Sequence, residues 1–120
     1  MRTVGRVTER VAELLQLQIP GDSTIYFGPG NLEHMRTRHP DDYAKYGADL
    51  EAILAAPDYV GQNPSDGSIE YVKEYQIGTE YVKVAVRLSL RGERYYARTL
   101  YRLNEKRVRN FIEEGTLKKV

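Results

Sequence analysis

From Glu80 to Leu103 the chain reads EYVKVAVRLSLRGERYYARTLYRL, two long stretches of strand-like residues parted by Arg91-Gly92. In an extended strand successive side chains point to opposite faces, and a glycine supplies the positive φ that a two-residue hairpin connection needs. In the first stretch Val82, Val84, Val86, Leu88 and Leu90 share one face, and Tyr81, Lys83, Ala85, Arg87 and Ser89 share the other. One side of the sheet is therefore expected to be buried and the other wet or functional. The second stretch splits less cleanly: Tyr95, Ala97, Thr99, Tyr101 and Leu103 oppose Arg94, Tyr96, Arg98, Leu100 and Arg102. Its arginines form a ridge beside tyrosines, which either suits a phosphate-and-base ligand or decorates an exposed sheet face.

The other segments fall in two groups. Val4, Val7, Val11, Leu14 and Leu15 recur at helical spacing from about Thr3 to Leu17, with Thr8 as the cap if the helix starts late and Val4 to Val7 is extended. Pro20-Gly21-Asp22 closes that segment. Ser23 to Phe27 reads as a strand ended by Gly28-Pro29-Gly30. Asn31 is expected to cap a short helix from Leu32 to about Arg38, stopped by Pro40, because the residue before a proline is pushed out of the α region. Asp41 to Gly47 reads as a loop or single turn, and Ala48 to Ala56 as a helix ended by Pro57. Tyr59 to Gly61 and Ser68 to Tyr75 are strand-like, with breaks at Asn63 to Gly67 and at Ile77-Gly78. Glu105 to Glu114 closes as a helix stopped by Gly115. The expected fold is a single α+β domain over residues 1–120: N-terminal helices packed on a three- to four-stranded antiparallel sheet, then a short C-terminal helix.

Composition narrows the chemistry. With no cysteine, disulfides, thiolate catalysis and Cys-based metal sites are excluded. A net charge of +1 argues against binding nucleic acid or membrane through bulk charge. The total hides an asymmetry: residues 1–82 carry seven Lys/Arg against thirteen Asp/Glu, and residues 83–120 carry eleven against four. Either acidic helices simply sit beside a basic sheet, or the basic portion meets an anion such as a nucleic-acid backbone. No stretch approaches 18 apolar residues, and charges interrupt the apolar run at the N-terminus, so no membrane partner is expected. The expected address is the cytoplasm, although a protein exported by a dedicated machine would look the same.

The two histidines lie in one span, HMRTRH, with Arg36 and Arg38. On an unbroken helix His34 and Arg38 point together, while His39 falls on the side of Leu32 and Met35. His34 thus reads as a surface or site-facing imidazole. His39 reads as a structural histidine at the helix end, which Pro40 could release into a site. No metal is expected: the histidine spacing lacks a shared helical face, and adjacent aspartates such as Asp41-Asp42 are more often turn formers. Gly28-Pro29-Gly30 lacks the Lys and Ser/Thr of a P-loop, so no nucleotide cofactor is expected.

The chain resembles the phage-encoded branch of the barnase/EndoU/colicin/RelE-like nucleases (the BECR fold). The resemblance is carried, over about residues 4 to 114, by the order of VGRVTERVAELLQL, HMRTRHP, ILAAPDYV, IEYVKEY, VKVAVRL and ARTLYRL. It implies a metal-independent endoribonuclease in which the ribose 2′-OH attacks the adjacent phosphorus to give a 2′,3′-cyclic phosphate. His34 and His39 are then the candidate proton-transfer groups and Lys73 the cation on the phosphorane. Thr99 and Tyr101 would bond the phosphate, and Arg36, Arg38, Arg98 and Arg102 would bind substrate. Arg98 and Thr99 alternate to opposite faces, so both can line one pocket only if a bulge intervenes. Where sister nucleases use a Glu base, Glu70 and Glu74 are the local options, both alternating away from Lys73. RNA is the implied partner, with an acidic antitoxin or immunity protein if the chain is a toxin-type effector. The rival reading is a phage or mobile-element module that binds nucleic acid or protein without cutting it.

Overall fold

The computed structural model describes residues 1–19, 22–76 and 79–120. The expected breaks at Pro20-Gly21 and Ile77-Gly78 lie outside the described residues. The two alternating stretches form β5 (Glu80–Leu88) and β6 (Tyr95–Leu103), paired antiparallel. Their connection is longer than a two-residue turn. Ser89 N–H donates to the Arg94 carbonyl at 2.8 Å, and Gly92, at φ 68°, sits in the four-residue tip between them. The hairpin runs past the covering layer, so Leu90 is fully exposed and Leu88 partly so, against the expectation that both continue the Val82–Val84–Val86 face.

The sheet is larger and less uniform than expected. Its order is β1 (Arg2–Arg6), β2 (Thr24–Phe27), β6, β5, β4 (Ile69–Tyr75), β3 (Tyr59–Gln62), β7 (Leu117–Lys119), seven strands among the described residues. All described pairs are antiparallel except β2 with β6, which is parallel. The expectation of three or four antiparallel strands is therefore corrected. Two edge strands carry the weakest local patterns: the one valine of β1, Val4, also fits a helical spacing with Val7 and Val11, and β7 is only three residues long. Pairing with a neighbour, rather than propensity, makes each a strand.

Helix starts follow capping chemistry. α1 (Glu9–Leu15) begins late, with the Thr8 hydroxyl accepting from Val11 N–H. α2 (Pro29–Arg38) starts three residues earlier than expected because Pro29 suits the first helical position, and the Asn31 side chain accepts from Gly28 N–H. His39 leaves helical geometry (φ −138°, ψ 68°), and Pro40 then opens α3 (Pro40–Tyr46) where a loop or single turn was expected. Asp41 and Asp42 in its first turn favour the helix by facing the positive end of its dipole. A short 3-10 turn (residues 47–49) leads into α4 (Leu50–Ala55), and α5 (Glu105–Glu113) begins at Asn104, whose side chain accepts from Lys106 N–H.

Both faces of the sheet are used. One buries Val82, Val84 and Val86 with Ile25, Met35, Ile53 and Leu100. The other is covered only at one end, where α5 packs Val108 onto Val72, Tyr81 and Leu103. The rest of that second face is open. Beyond its two-residue pairing with β2, the outer edge of β6 is met by α2 and α3, and Asp42 of α3 accepts from the Arg102 backbone N–H at 3.0 Å. That carboxylate satisfies a strand-edge donor that would otherwise be free to pair with another chain.

At Gly61 in β3 an added Cβ would lie 2.4 Å from the Thr116 carbonyl oxygen, just before β7. The obstacle is backbone and cannot swing away. Gly61→Ala is expected to cost about 2 kcal/mol, read as a fall in thermal midpoint of roughly 8 °C. A midpoint equal to that of the parent would show that β7 is not held against β3 in solution.

Candidate active site

The open face carries cross-strand rows whose members are set by register. Glu70, Ala85 and Thr99 lie opposite one another on β4, β5 and β6, and the next row holds Val72, Lys83 and Tyr101. Together with His34 from α2 these rows, apart from the buried Val72, wall a cleft of about 320 Å³, which also takes in Arg87 and Arg98. α2 reaches it because it flanks β6: Met35 turns into the core and its neighbour His34 toward the open face.

Arg98 enters through a break in the strand. Ala85 pairs with Thr99 but Val86 pairs with Ala97, so Arg98 is an extra residue bulged out of β6. A bulge cancels one step of alternation, and Arg98 and Thr99 accordingly line the same cleft. It also divides the arginine ridge. Arg102 returns to the opposite face, where its guanidinium bonds Asp42 at 2.5 Å and Glu80 at 3.4 Å. The ridge expected from simple alternation is thus corrected.

At the floor of the cleft the Lys83 ammonium donates to Glu70 at 2.8 Å, with both side chains nearly nine-tenths covered. Burial by itself would pull the ammonium's pKa down, but the Glu70 carboxylate and Tyr101 outweigh it and hold it above its ordinary value. Lys83 Nζ also lies 4.6 Å from the centre of the Tyr101 ring. His39 does not line the cleft; its ring stacks on Tyr101 at 4.6 Å and fixes that residue from behind. His34 is half-buried, and desolvation, with the positive charges of Arg38 and Arg98, holds its imidazole below the usual histidine pKa. It is therefore biased toward the neutral form, able to accept a proton near neutral pH.

Of the residues singled out from the sequence, His34, Arg98, Thr99 and Tyr101 come together here, and His39 stands one layer back. Arg36 and Arg38 are exposed on α2 outside the cleft wall, Arg38 acting on His34 through its charge. Lys73 is on the other face of the sheet, donating to the Ala56 carbonyl at 2.8 Å with Asp58 at 3.8 Å. The cations that do face the cleft, Lys83 and Arg87, were legible as the polar face of β5, and Glu70 as a carboxylate alternating away from Lys73. Placing them beside His34 required knowing which strands pair.

Among the described residues no three His, Asp or Glu side chains gather as a metal-binding group, and no helix is long and apolar enough to cross a membrane. A family model described as phage-Barnase-EndoU-ColicinE5/D-RelE like nuclease3 matches residues 2–110. No curated protein and no solved structure matches the chain.

Proposed function

The chain belongs to the phage-Barnase-EndoU-ColicinE5/D-RelE like nucleases, and from that premise we propose that the cleft cuts RNA by 2′-OH transesterification without a metal. The observation that carries this reading is the bulge, which puts the Arg98 guanidinium and the Thr99 hydroxyl on one side of a cleft that also holds His34 and Lys83. The attack needs a base at the 2′-OH and cations around a phosphorane whose negative charge grows as the bond forms. Neutral His34 takes the 2′-OH proton. Arg98 and Lys83 stabilise the equatorial oxygens, and Thr99 donates a hydrogen bond to one of them. The departing 5′-oxygen takes its proton from the Tyr101 hydroxyl, which regains one from solvent as the products leave, while His34 releases the proton it took from the 2′-OH. Glu70, neutralised by Lys83, orients that ammonium rather than acting as the base. Three cations against Glu70 and Asp66 along the cleft wall suit a polyanion, and an acidic inhibitor protein would be drawn to the same charge.

The test is incubation of labelled RNA with the purified chain in excess EDTA, followed by analysis of the ends. Cyclic-phosphate termini formed at the same rate with and without EDTA are expected. Cutting that stops with EDTA would overturn the metal-free route. RNA that binds in a salt-dependent way but is never cut would instead identify a binding module.

A further inference from the structure

One row beyond the cleft, the open face of the sheet carries an aromatic and cationic strip that the cleavage chemistry leaves unused. Tyr26 of β2, Tyr96 of β6 and Arg87 of β5 lie in register side by side. Their neighbours Ile25, Phe27, Tyr95 and Ala97 are buried on the opposite face, so the two tyrosines are turned outward, partly exposed. The rings stand 6.1 Å apart at 45°. Tyr26 is held in place: its hydroxyl donates to Asp22 at 2.8 Å, that carboxylate also accepts from Thr24 N–H, and Arg94 sits 5.0 Å from the ring centre. Arg87 belongs to both the row and the cleft, and the bulged Arg98 lies between Tyr96 and Thr99.

An aromatic pair of fixed orientation next to guanidinium groups is the arrangement on which an unpaired base stacks while its phosphate is neutralised. We propose that the Tyr26–Tyr96 row is a stacking subsite for the nucleobase adjacent to the scissile phosphate, so that this chain acts on single-stranded RNA. The inference rests on the cleavage reading of the adjoining cleft. Arg87 and Arg98 would hold the phosphate linking the stacked base to the reacting nucleotide. A duplex cannot use the row, because its bases already stack on one another and their faces are closed.

The chain contains no tryptophan, so a Tyr96→Trp variant carries one indole whose fluorescence reports on the row alone. The probe is a tetranucleotide of 2′-O-methyl RNA, which has no 2′-OH to attack with and stays intact. Saturable quenching is expected, with no quenching by an abasic tetranucleotide or a 12-base-pair duplex of the same chemistry. Tyr96→Leu is expected to weaken tetranucleotide binding, read by anisotropy, about 10-fold. Binding without quenching, an unchanged Kd in Tyr96→Leu, or no binding at all would overturn the subsite. The two readings fail separately. Quenching and the Kd loss on a chain that cuts no RNA would keep the subsite and end the cleavage reading. Normal cleavage with an indifferent Tyr96→Leu variant would do the reverse.

Discussion

Replacing His34 with alanine is expected to lower turnover on RNA by about 10²- to 10⁴-fold, the usual span for removing a general base, while leaving the affinity for uncleavable RNA nearly unchanged. The imidazole is the base the cleft offers, because the Glu70 carboxylate is committed to Lys83 and the Asp66 carboxylate, held below its usual pKa by the Ser68 backbone N–H, is the weaker proton acceptor. The His34 pKa is lowered by desolvation first and by Arg38 and Arg98 after it, which sets the sign of the pH dependence. The base works when unprotonated, so activity should hold above the lowered pKa and fall only as pH drops through it. The acid limb of the rate profile should thus lie below the 6.5 of an ordinary histidine. Arg38→Gln removes one of the charges opposing protonation without touching the cleft wall, and the limb should move to higher pH. Measuring kcat/KM from pH 4.5 to 8 for the parent and both variants checks this. A His34→Ala variant with more than a tenth of parental activity would take the proton transfer away from His34.

Glu70→Ala should have the largest effect on stability. It leaves the Lys83 ammonium, only 12% exposed, without its carboxylate. Breaking a buried pair from one side costs about 3–5 kcal/mol, and Tyr101 and the cleft mouth reduce that to about 2–3 here. Replacing both partners, as in Glu70→Leu with Lys83→Met, removes the uncompensated charge and should recover most of the loss. Urea unfolding of the two single variants and the double variant closes the cycle. Activity should not follow stability. The double variant is expected to stay at least about 100-fold below the parent, because the phosphorane has lost a cation. A Glu70→Ala variant within 0.5 kcal/mol of the parent would mean that Lys83 reaches solvent and that the pair does not organise the cleft. Recovery of activity together with stability would remove Lys83 from the chemistry.

How far the site could be read from the sequence depends on how local each signal is. The alternation in β5 set Lys83 and Arg87 on a polar face, and the break at Pro40 put His39 at the end of α2, as the structure has them. Lys73 carried an equally plain strand signal, yet it faces Ala56 across the sheet from the cleft. Its register partner, Val82, belongs to the buried face, and no property of IEYVKEY alone reveals that. Arg98 is the opposite case. Alternation placed it away from Thr99, and one extra residue between two pairings reversed the answer.

Periodicities of two and of 3.6 residues, caps and prolines are written in neighbouring residues, so the sequence by itself determined most of the strands and helices, the α+β class and the candidate imidazole. Strand order, the parallel seam between β2 and β6, the short strands at both edges and the bulge belong to contacts between distant segments. Only the tertiary structure decided those, because a strand's face and partner are chosen by what the rest of the chain buries against it.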